Sequence, residues 1–100
     1  MELKQTQDIE QRLSFIKQSL GVIEWYTKVE LTYEYHCLRF KQQAEKLKIW
    51  TKADTARELG MGASTVIENC TLAEVLKDHP DLKNFSRTYG LEFMRKRTTT

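Results

Sequence analysis

Cysteine is scarce in this 100-residue chain, and the two present, Cys37 and Cys70, have no second Cys or His at the spacing that a metal ion requires. Both lie in apolar helical stretches and read as buried thiols. Long apolar runs are missing as well. Nothing approaches the roughly 18 consecutive apolar residues of a membrane-spanning helix, and the polar start Met1-Glu2-Leu3-Lys4-Gln5 has no signal-peptide character. The expected setting is therefore a reducing cytoplasm with no membrane partner. Charge of one sign is equally absent: 16 basic residues stand against 14 acidic ones, a net charge of +2. The only local bias is basic and terminal, in Arg87, Arg95, Lys96 and Arg97.

Catalytic signatures are also lacking. There is no Gly-rich phosphate loop, no His-x-x-x-His or Cys-x-x-Cys pair, and no Ser or Cys nucleophile with an evident base. The expectation is a protein that is not an enzyme and has no cofactor, metal or small-molecule substrate. His36 falls within a helical stretch, and His79 precedes Pro80 near a helix C-terminus, so both read as structural.

What is present is helical periodicity. Ile9, Leu13, Ile16, Leu20 and Ile23 recur at spacings of four, three, four and three, which is one stripe of an α-helix. An intramolecular hairpin and a dimer seam satisfy this stripe equally well. Gly21 can end that helix, or the helix can run on. From Val22 to about Ile49 there is no Gly or Pro, and Val22, Trp25, Val29, Tyr33, Phe40, Ala44 and Leu47 follow helical spacing. Leu31, Tyr35 and Leu38 make a second stripe on the same helix, so two neighbours are implied. One is the first helix, and the other is the C-terminal half or a second copy of the chain. The second stripe is the expected oligomer contact.

After Trp50 the punctuation changes. Thr51, with Asp54 three residues on, signals a helix start, and Gly60 signals its end. Met61-Gly62-Ala63 then leads into a longer helix that Ser64 or a neighbour caps and that His79-Pro80 stops. A short helix, a Gly-containing turn of three or four residues and a second helix make the helix-turn-helix pattern. Ala56 is small where the helices cross, Met61 fills the space under the turn, and Val66 is placed to pack on Ala56 and Leu59.

The stretch from Asp54-Thr55-Ala56-Arg57-Glu58-Leu59-Gly60 through Ser64-Thr65-Val66 to Leu72-Ala73-Glu74-Val75-Leu76-Lys77-Asp78-His79-Pro80 resembles the helix-turn-helix of ParB-type partition proteins and related phage or plasmid regulators. The resemblance covers about residues 52–80 and implies a DNA-reading module with nothing enzymatic. The sequence departs from that family at Asn69, where an apolar residue is usual; Ile67 and Cys70 are then expected to take over the packing. It departs again in having no Lys or Arg from Ser64 to Leu76.

The resulting expectation is an all-α fold. A helical hairpin, or an N-terminal helix plus a long helix, leads into a trihelical helix-turn-helix bundle followed by a short C-terminal helix or arm. Residues 1–50 form the helical oligomerisation region, 51–80 the helix-turn-helix, and 81–100 the C-terminal helix or basic tail, all in one compact unit. Ser64, Thr65, Glu68 and Asn69 are the expected base contacts in double-stranded DNA, with Lys52, Arg57, Arg95, Lys96 and Arg97 on phosphates. A homo-oligomer, first a dimer, follows from two-half-site binding. The alternative is a protein-interaction module that keeps the helix-turn-helix shape without nucleic acid.

Overall fold

A computed structural model describes the backbone of residues 2–21 and 23–98, and the side chains of residues 8–21 and 23–96. Val22, the side chain of Arg97 and residues 99–100, all within the ranges used above, lie outside that description. The described chain is all-helical: α1 (Glu2–Ser19), α2 (Trp25–Glu45), α3 (Lys52–Leu59), α4 (Ala63–Asp78), a 3-10 turn (Pro80–Asn84) and α5 (Arg87–Thr98). No described helix is long and apolar enough to cross a membrane.

The α1 stripe settles on α2. Leu13 and Ile16 are buried against Leu31 and Tyr35, with Ile9, Leu20, Ile23, Leu38 and Leu59 packed around them. This corrects the oligomer assignment: Leu31, Tyr35 and Leu38 are covered by the chain's own first helix, which satisfies the apolar stripe that was reserved for a second copy. Arg12 adds a bidentate pair with Glu34 at 2.6 and 2.8 Å, and Arg39 bonds both Glu10 of α1 and Glu58 of α3. Exposed ion pairs of this kind fix register more than they stabilise.

The opposite stripe of α2 meets α4. Val29 is sealed against Leu72, Ala73, Val75 and Leu76, with Trp25, Tyr26 and Tyr33 at the margin. Each such aliphatic side chain contributes roughly 1.5–3 kcal/mol on full burial. Phe40 and Leu47 of the predicted stripe are exposed, because the C-terminal half of the long helix turns other residues, Tyr35 and Gln42, inward. Cys37 is exposed too, unlike Cys70, so only one of the two thiols is buried.

The long helix also ends earlier than the sequence suggests, at Glu45. Lys48 N–H donates to the Gln43 carbonyl and Leu47 N–H to the Ala44 carbonyl, with Leu47 at φ 59°. This is a Schellman closure, and a leucine occupies the left-handed position that glycine usually fills.

Downstream, local signals match local structure. Thr51 Oγ1 accepts from Asp54 N–H at 3.2 Å while Asp54 Oδ2 accepts from Thr51 N–H at 2.9 Å, a complete capping box. Gly60 ends α3 at φ 68° and ψ 34°, left-handed geometry that disfavours a side chain. The cap of α4 is Gly62 and not Ser64, since the helix begins at Ala63 and Ser64 falls in its first turn. Ala56, Val66 and Cys70 close the crossing with Met61 beside them, whereas Leu59 turns toward α1 and α2.

Past Pro80, Leu82 is buried in the 3-10 turn, and Ser86 Oγ accepts from Tyr89 N–H at 3.2 Å to start α5. Leu91 and Met94 then pack on the α4 core, so the C-terminal segment is a docked helix and not a free arm. Gly90 permits the approach, because a Cβ there would lie 3.3 Å from the Trp25 ring.

Candidate nucleic-acid interface

The first turns of α4 follow the Gly60–Gly62 turn, and their orientation is set by what Val66 buries. With Val66, Asn69, Cys70, Ala73 and Leu76 inward, the outward stripe is Ser64, Ile67, Thr71 and Glu74, at helical spacing. Ser64 is exposed as expected. Thr65 is half-buried at the edge toward α2 and α5.

Asn69 is a correction. It is 1% exposed, and its Oδ1 accepts from Arg87 Nη2 at 2.9 Å, so it is a core residue bound to α5 and is not on the outward face of α4. Its spacing, three residues after Val66 and four before Ala73, already places it on the inward face; the hydrogen-bonding side chain obscured that signal. The packing role expected of Ile67 is correspondingly wrong, since Ile67 is 50% exposed. It is the surface residue that sequence reasoning missed. Cys70 does pack inward, as expected.

Glu68 is half-buried between two arginines of α5, with Arg87 Nη2 at 3.7 Å and Arg95 Nη2 at 3.4 Å. Its charge is thus engaged inside the protein, and the local sum of these three groups is positive. Arg57 is exposed on α3 and pairs with Asp54 one turn back. Lys52, at the start of α3, is exposed beside a cleft between α2 and α4. Lys96 is exposed on α5. The basic residues therefore flank α4 on two sides, Lys52 and Arg57 from α3 and Arg87, Arg95 and Lys96 from α5.

Behind the α3 start, Trp50 Nε1 donates to Thr55 Oγ1 at 2.8 Å, and the same hydroxyl lies 2.7 Å from His36 Nδ1. Burial, with the nearby Lys52 charge, holds His36 below its ordinary pKa. A neutral imidazole bridging α2 and α3 is a positioning element for α3. At the other end, His79 sits edge-on to Phe93, with ring centroids 4.9 Å apart.

No family model, curated protein or solved structure matches this chain.

Proposed function

We propose that this protein binds double-stranded DNA through the exposed face of α4, as a non-catalytic cytoplasmic regulator or a partition or packaging adaptor of the phage and plasmid kind. The observation that carries the reading is the capped α3, left-handed Gly60 and α4 unit, which leaves Ser64, Ile67 and Thr71 outward on a helix sealed from behind by Val66 and Cys70. Hydroxyls at 64 and 71 suit base-edge hydrogen bonds, and Ile67 suits a thymine methyl. The engagement of Glu68 by Arg87 and Arg95 supports it further, because the acidic residue that would repel phosphates is compensated from α5. Lys52, Arg57 and Lys96 are the phosphate contacts of this reading. Binding to paired half-sites would be as a dimer whose contact lies elsewhere than the Leu31, Tyr35, Leu38 stripe.

Exposed Ile67 on a face without Lys or Arg favours one second reading, a protein-docking face on the same helix. Selection of bound fragments from a random duplex pool at about 50 mM salt decides between them, since low salt favours even weak phosphate attraction. Enrichment of a common sequence supports DNA reading. Recovery at background level rejects it in favour of the protein partner.

A further inference from the structure

Three helices begin at one place in this fold. Trp25 opens α2, Thr65 lies in the first turn of α4 and Arg87 opens α5, and all three line a single cleft of about 470 Å³. The first main-chain bonds of two of these helices run from Lys28 N–H to the Glu24 carbonyl and from Val66 N–H to the Gly62 carbonyl. The N–H groups of the turns before them have no partner within the helix. Neither terminus has a side-chain cap: the Glu24 side chain makes no capping bond, and Gly62 has no side chain to make one. Helix N-termini carry a partial positive charge, and here three such ends share one space.

The side chains in the cleft have matching chemistry. Lys28 and Arg87 are cationic, and the buried Asn69 supplies a third donor. Asn69 Oδ1 is taken by Arg87, which leaves its Nδ2 without a hydrogen-bond partner among the described residues. No sealed side-chain nitrogen or oxygen of those residues lacks a partner, so this NH2 group is not sealed but opens on the cleft that Asn69 lines. A donor held in this way on a residue 1% exposed is costly unless something accepts from it. Of the carboxylates near these groups, Glu68 lies 3.7 Å from Arg87 and is shared with Arg95, and the Glu24 side chain at the start of α2 is exposed to solvent.

We infer that this cleft binds a phosphate group, held by Lys28, Arg87, the Asn69 carboxamide and the uncapped first turns of α2 and α4. Arg87 supplies the planar donor pair suited to an oxyanion, and Lys28 supplies a point charge. The site goes beyond DNA reading, because it is complete without any residue of the outward face of α4. Its phosphate comes either from a nucleic-acid backbone or from a free phosphorylated molecule, and the apolar wall of Ile23, Trp25 and Val29 gives the latter a surface to lie on.

The test is a titration of the ¹⁵N-labelled full chain with inorganic phosphate at constant ionic strength, followed by amide chemical shifts. Saturable shifts are expected at the Asn69 side-chain NH2 and at the main-chain amides of 25–27 and 63–65, with half-saturation on the order of 1 mM. Arg87→Gln should weaken binding about tenfold or more. Lys28→Gln, an exposed position that carries no packing, should weaken it severalfold with the spectrum of the fold unchanged. Lys52→Gln should leave it unaltered. Shifts that rise linearly without saturation, or a half-saturation the same in Lys28→Gln as in the parent, overturn the site. Where phosphate competes with a short duplex for the protein, the cleft takes a backbone phosphate. Where both bind together, it takes a free phosphorylated ligand. A protein that recovers no DNA yet saturates with phosphate separates this site from the DNA reading, as does the reverse.

Discussion

Asn69 on α4 accepts a 2.9 Å hydrogen bond from Arg87 Nη2 at the start of α5, and this single contact binds the C-terminal helix to the helix that would read DNA. Asn69→Ala should therefore cost about 1–3 kcal/mol of stability, because it opens a cavity and strips the half-buried Arg87 guanidinium of an acceptor. Urea unfolding measures this. If stability is unchanged while sequence preference in DNA is lost, Asn69 is a base contact after all and the burial is misread.

DNA contacts should divide by kind. Ser64→Ala or Thr71→Ala should cost about 1–3 kcal/mol at the preferred site and relax the preference there. Lys52→Ala and Arg57→Ala should weaken all sequences alike and reduce the salt slope by about one per lost contact. Anisotropy titrations at two salt concentrations distinguish the classes. Equal effects on specific and random duplexes from Ser64→Ala would remove that residue from base reading.

Leu47 and Gly60 occupy the same left-handed region with opposite suitability, at φ 59° and 68°. Leu47 is also 95% exposed, so no packing compensates its strain. Leu47→Gly should stabilise the protein by several tenths to about 1 kcal/mol, and Gly60→Ala should destabilise it by about 1–2 kcal/mol. Melting temperatures should move in opposite directions, and a fall in both would show that Leu47 carries a contact the monomer does not display.

Tyr35 donates its phenolic proton to Glu58 at 2.6 Å, and burial together with that carboxylate pushes its pKa up to about 12 from an ordinary 10. The folded state then holds the proton more tightly than the unfolded chain. Stability from this group is complete below pH 10 and is lost as pH rises from 10 through 12. Unfolding free energies measured across that window should fall in the parent and fall less in Tyr35→Phe. Parallel curves would mean that the Glu58 contact is not formed in solution.

The two thiols should react in sequence. Cys37 is exposed, whereas Cys70 is buried and its thiol is pushed up to about 11, chiefly by burial. A thiol reagent at pH 8 should modify one group per native chain quickly and the second only on unfolding. Rapid reaction of both would place Cys70 at a surface.

The sequence by itself determined the parts of this protein whose physics is local. Thr51 and Asp54 write a capping box into four residues, Gly60 writes a left-handed stop, and Pro80 ends α4, because each acts on neighbouring backbone groups. The all-helical class and the Ala56–Val66 crossing were legible for the same reason, from period and residue size. Which of two apolar stripes on α2 meets α1 was not legible, since Leu31 and Tyr35 are equally able to meet a second copy and only the hairpin closes that choice. Nor were the partners of charges: Glu68 looks like a free acid in the sequence until α5 folds back and brings Arg87 and Arg95 beside it. Burial of Asn69 and the meeting of three helix starts at one cleft are likewise tertiary facts, because they depend on residues up to 62 positions apart, Trp25 to Arg87, whose approach no local pattern encodes.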